Sequence, residues 1–250
     1  MFYLFLAILS SSTIAFLFKF AENREMNPYV ITSANYFIAS IVSLLFIMNQ
    51  QLFQAFVREK SFLEEWNYLL AQENYLLSPS NSILWGIMVG GVAGFFFFFS
   101  FLYYQKSVKE NGVALSGTFS KLGILIPMVF SIILWREFPT MIQWLGIILS
   151  LVAILIVNLS IESLQKFDLN PTILILFILG GLAEFSNKIY QQYALKEYKD
   201  VFLFAVFTVA FLISFIYAQK KRLHGKCVRF SLALRLVSPI CSLLIFSFYL

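Results

Sequence analysis

The sequence predicts an all-α membrane protein, a polytopic helical bundle of about eight transmembrane helices, and three observations carry that prediction. Apolar residues make up 60% and charged residues 12% of the 250 positions, with a mean hydropathy of +0.82. A soluble domain sits nearer half apolar and a quarter charged. Apolar runs of roughly 20 residues recur along the chain, the length at which an α-helix crosses about 30 Å of hydrocarbon. Two such runs, between Gly112 and Asn158, are joined by the short polar break REFPT, which predicts a tight helical hairpin.

The same composition excludes several classes. The net charge of +5 comes from Lys and Arg placed between apolar runs, so they read as topology signals and lipid-headgroup contacts, not as a nucleic-acid surface. Cys227 and Cys241 form no framework, and His224 is the only histidine, so neither a metal site nor a cofactor is expected. The chain has no GxSxG and no GxxxxGK[ST]. Neither a membrane enzyme nor a pump driven by its own nucleotide site is predicted. The partner this composition leads one to expect is the lipid bilayer, in a multi-pass protein of the cell membrane.

Residues 2–18 lack a basic leader and are followed by Lys19 in place of a small-residue cleavage site, so they read as a retained first span. After Pro28, residues 29–48 form the second, with Thr32, Asn35, Ala39 and Ser43 on one small, polar face. That face suits interhelical hydrogen bonding or the lining of a cavity. Residues 49–80 are polar and interrupted. Phe53, Phe56, Leu63, Trp66 and Leu70 recur at roughly helical spacing, which reads as an amphipathic helix at the membrane surface or a solvated connector.

The third span, about 81–104, carries Gly86, Gly90 and Gly94, two overlapping GxxxG spacings that open a groove for a neighbouring helix. Five phenylalanines, 95 to 99, read as packing and lipid contact, and QKSVKEN reads as the following loop. In the hairpin, Lys121 and Pro127 lie deep in the first apolar run, where a cation and a helix breaker need a buried or wet setting. Pro127 is expected to leave the Gly123 carbonyl unpaired and to ease bending. Pro139 suits the first turn of the second helix.

The sixth span, about 171–194, holds Glu184 and Lys188 four residues apart, on one face and able to pair. Either they neutralise each other, or Glu184 is a gate or coupling group beside a substrate path. A seventh span follows at about 201–217, then the basic segment 219–229 and a weaker eighth span at 230–250. Laying Lys19 over Lys188 also brings Ser12 onto Gly181, Ala15 onto Glu184 and Asn23 onto Gln192, a faint internal repeat. With five spans in the first unit the second enters inverted, an arrangement that places substrate near the midplane.

From Ile83 to Asn158 the chain resembles the EamA module of the drug/metabolite transporter superfamily. The likeness rests on the glycine-rich span, the aromatic run, GVALSGTFSKLGILIP with Pro127, and Glu137, Thr140, Gln143 and Gly146 in the pattern E-x-x-T-x-x-Q-x-x-G. Residues 12–48 resemble the first two helices of that module, and 173–217 the start of a second copy. The resemblance implies two inverted five-helix repeats working by alternating access. Here 1–160 forms the first repeat, with the insert 49–80, and 171–250 a partial second one of about three spans. No second copy of the Pro…E-x-x-T-x-x-Q-x-x-G hairpin exists. The leading expectation is a secondary transporter of a small metabolite or drug-like solute. The alternative is a truncated, non-transporting chain that assembles with or regulates another carrier; a homodimer is a further possibility.

In the carrier reading, Lys121 faces a central cavity with Ala114, Gly117 and Thr118 on its own face, and favours an acid-bearing substrate or partners Glu184. Glu184 is the candidate for proton coupling. Lys188, Asn35 and Thr118 complete the expected site, and Glu137 is expected to shape the hairpin mouth.

Overall fold

A computed structural model of the chain describes residues 27–50, 61–71, 75–158 and 170–222. The spans expected at 2–18 and 230–250, the Lys19 half of the repeat, Phe53, Phe56, His224, Cys227 and Cys241 lie outside the described residues. Within them the helices are α1 (Pro28–Asn49), α2 (Phe62–Ala71), α3 (Pro79–Asn111), α4 (Val113–Leu122), α5 (Leu125–Trp135), α6 (Met141–Asn158), α7 (Pro171–Tyr193) and α8 (Lys199–Arg222). A single 3-10 turn, Lys196–Tyr198, leads into α8.

Proline and asparagine set the helix starts. Pro28 and Pro171 occupy first turns, where a missing N–H costs nothing, and Asn27 and Asn170 accept from Tyr29 and Thr172 N–H as side-chain caps. Five helical stretches are long and apolar enough to cross a membrane: Pro28–Asn49, Pro79–Asn111, Val113–Trp135, Pro171–Tyr193 and Lys196–Lys220. The described residues therefore support a helical membrane protein with five such stretches, fewer than the eight spans expected.

The core lies where α1, α3, α7 and α8 meet, around Tyr36, Phe98, Tyr190, Phe202 and Val206. Gly86, Gly90 and Gly94 form the stripe expected of them, and its partner is α8. A Cβ at Gly90 would stand 2.8 Å from the Phe202 carbonyl oxygen, and one at Gly94 would stand 2.9 Å from that of Val206. Only hydrogen fits there. The five phenylalanines divide by helical phase: Phe95 and Phe99 are exposed, whereas Phe97 and Phe98 are buried.

Three expectations change. The segment QKSVKEN is helix, not loop, because Gln, Lys and Glu are good helix formers and Lys106 pairs with Glu110 one turn on. The chain then reverses at Gly112, which adopts φ 82°, while the Ser107 and Ser116 hydroxyls meet at 2.7 Å across the corner. The first hairpin helix is broken between α4 and α5, and the Gly123 carbonyl is not orphaned. It accepts from Ile126 N–H at 3.0 Å, since the chain tightens to three-residue bonding where Pro127 offers no donor. Pro139 stands outside α6. Thr140 is the cap, with its N–H donating to Gln143 Oε1 at 2.8 Å and its hydroxyl accepting from Gln143 N–H at 3.4 Å.

The segment 61–71 is an amphipathic helix, with a buried face that differs from the one expected. Leu63 is exposed, while Glu65 and Leu69 are buried. Glu65 Oε2 accepts from Ser78 N–H, Ser78 Oγ and Asn81 Nδ2, which anchors α2 to the start of α3. Phe62 and Trp66 stack on Trp85, and Trp66 also meets Tyr193 of α7. These contacts turn a surface helix into a cap on the bundle end, a role invisible in hydropathy alone.

Candidate functional site

Five helices and the α4–α5 break surround a cavity of about 280 Å³. Asn35, Tyr36 and Ala39 of α1 line it, with Phe97, Ser100 and Phe101 of α3, Ser120 and Lys121 of α4, Ile124 from the break, Gly180, Ala183 and Glu184 of α7, and Phe207 of α8. The walls are held by polar ties between helices. Tyr36 Oη donates to the Phe97 carbonyl at 2.8 Å, Gln105 Nε2 donates to Thr32 Oγ1 at 2.7 Å, and the Ser40 and Thr208 hydroxyls meet at 2.9 Å. The small, polar face of α1 is thus shared: Thr32 bonds to α3 and Asn35 opens on the cavity.

Lys121 reaches this cavity because its helix stops. It occupies the last turn of α4, where the C-terminal dipole favours a cation. The following Gly123 rests on Gly181, with only 2.9 Å between its would-be Cβ and the Gly181 nitrogen. That approach brings the end of α4 beside the middle of α7. Lys121 and Glu184 are both open to the cavity and within electrostatic reach of each other. A cation, a carboxylate and the Asn35 amide thus face one space walled by Tyr36, Phe97, Phe101 and Phe207. Such a space can hold a small solute with an acidic group and an apolar body.

Two expected site residues stand elsewhere. Thr118 is not in the cavity wall; its hydroxyl donates to the Ala114 carbonyl at 2.9 Å. Lys188 does not pair with Glu184 but with Glu137, at 2.6 Å, with its ammonium 5.8 Å from the centre of the Trp135 ring. Tertiary packing overrides the i,i+4 spacing because the hairpin end supplies both a carboxylate and an aromatic face, while Glu184 faces Lys121. Glu137 therefore ties the hairpin mouth to α7.

The remaining motif residues divide similarly. Thr140 and Gln143 form the α6 cap, Pro127 is buried in α5, and a Cβ at Gly146 would meet nothing within 4 Å. Sequence reasoning missed Phe97, Ser100, Ser120 and Phe207, which carry no pattern that sets them apart from their neighbours. It also missed Gly123 and Gly180–Gly181 as an approach point, for which a glycine pair in mid-span was the available signal.

Comparison with known proteins adds one match: residues 1–159 fit the EamA-like transporter family. Neither the curated proteins nor the solved structures contain a match to the chain. With a match over well more than half its length and several membrane-crossing helices, this multi-pass membrane protein belongs to the EamA-like transporter family.

Proposed function

We propose that this chain is a secondary carrier that moves a small, acid-bearing polar or amphipathic solute by alternating access, holding it between Asn35, Lys121 and Glu184. The observation that carries the reading is the convergence of these three groups, from separate elements, on one aromatic-walled cavity. Ionisable groups at bilayer depth are costly, and they concentrate where a substrate or a proton passes. Lys121 reads the acid group, and Glu184 carries a coupled proton. Residues 1–160 make up the first repeat and 171–250 a partial, inverted second one; α7 and α8 of that second unit pack against α1 and α3 of the first, which supports a shared midplane site.

The experiment is uptake of a panel of radiolabelled small carboxylic acids into proteoliposomes under an imposed proton gradient. Lys121→Gln should abolish uptake with expression unchanged, and normal transport in that variant rejects its role. Glu184→Gln should remove the dependence on external pH, whereas an unaltered pH profile rejects proton coupling through this carboxylate.

A further inference from the structure

We propose that Lys188 and Glu137, seated on Trp135, form a gate that closes one end of the cavity and opens when the α5–α6 hairpin swings away from α7. The proposal deepens the carrier reading and rests on it. Three features of the structure lead to it.

The first is place. Lys188 lies four residues beyond Glu184 on α7, one turn or about 6 Å further along the axis. On the other side, α5 leads from the cavity at Ile124 to Trp135, and Glu137 follows directly. Both elements, each of which borders the cavity, therefore lead to this contact.

The second is the kind of contact. The pair is close, at 2.6 Å, yet the Lys188 and Glu137 side chains are 29% and 44% exposed, so water can replace each partner when they separate. Trp135 receives the Lys188 ammonium on its face and donates Nε1–H to Tyr193 Oη at 3.0 Å. The ring thus stays with α7 through reversible contacts, not through a packed backbone.

The third is a hinge. Between Lys121 and Ile126 the chain makes three-residue bonds, and Pro127 adds no donor. Beyond this point α5 rests on α7 through side chains: Ile126 over Gly181, Phe130 against Phe185 with centroids 4.7 Å apart, and Trp135. The main packing partner of α6 is α4. Bending at Gly123–Ile124 moves the hairpin and parts Glu137 from Lys188 without disturbing the α3–α8 seam.

The test uses the full chain in proteoliposomes, with Cys227 and Cys241 replaced and spin labels introduced at Met141 and Gln191, both exposed. Pulsed EPR reads the distance between hairpin and α7. Glu137→Gln and Lys188→Gln should each add a longer-distance population at least twofold above the parent. The charge-swapped double variant E137K/K188E should return the distribution toward the parent. An unchanged distribution in both single variants overturns the proposal. So does a fall in thermal midpoint without the longer population, which marks a static staple. The distance reports the hairpin whether or not solute moves, so its failure is separable from failure of the uptake assay.

Discussion

Two contacts in this bundle rely on glycine, and they behave differently. Along the α3–α8 seam, Gly86, Gly90 and Gly94 recur every turn, and each faces backbone or Cβ atoms of α8 at van der Waals distance or closer. Between the hairpin and α7, close approach is confined to one patch, where Gly123 rests on Gly181 and Ile126 lies over it. Past that patch rings, the Trp135–Tyr193 hydrogen bond and a part-exposed ion pair continue the interface. A repeated small-residue stripe locks two helices over their length, because dispersion accumulates with every close-packed turn. A single one makes a pivot. The seam is the fixed half of the molecule and the hairpin the movable half.

The largest expected effect lies in the seam. Gly94→Leu drives a side chain into the Val206 carbonyl and the Val209 side chain, neither of which can retreat without moving α8. Overpacking of this kind costs about 1–3 kcal/mol and more where backbone is struck. The thermal midpoint in detergent should fall sharply, and an unchanged midpoint breaks the distinction between fixed and movable halves. Glu65→Ala comes next. It leaves the Ser78 and Asn81 donors without their carboxylate and should cost roughly 2 kcal/mol. Hydrogen exchange should then show α2 released from the bundle end while the seam stays protected.

In the movable half the effects are smaller. Thr140→Ala removes the α6 cap and should cost about 1 kcal/mol, read as faster amide exchange in the first turn of α6 with the seam unaltered. Gly146→Ala is the smallest. A Cβ there meets nothing within 4 Å, so stability should hold or rise by up to about 1 kcal/mol. A marked loss would reveal a helix packed against Gly146 and shrink the movable half.

Much of this was legible in the chain itself. Apolar runs determined the helical membrane class, because a backbone in hydrocarbon must satisfy its own hydrogen bonds. Pro28 and Pro171 marked helix starts, and the Gly86–Gly94 stripe announced a close neighbour. The sequence also singled out Asn35, Lys121 and Glu184 as costly or polar groups at depth, and all three line the cavity.

Which groups meet was decided only in three dimensions. Spacing offered Lys188 to Glu184, but i,i+4 proximity is a weak preference, and a carboxylate and ring brought in from Glu137 and Trp135 displace it. Local pattern likewise could not tell Phe97, in the cavity wall, from Phe95, on the outside, nor show that Glu65 caps α3. Periodicity reports the side of a helix on which a residue lies. The partner of that side is fixed by how distant helices cross, and here a glycine pair and a broken helix set the crossing.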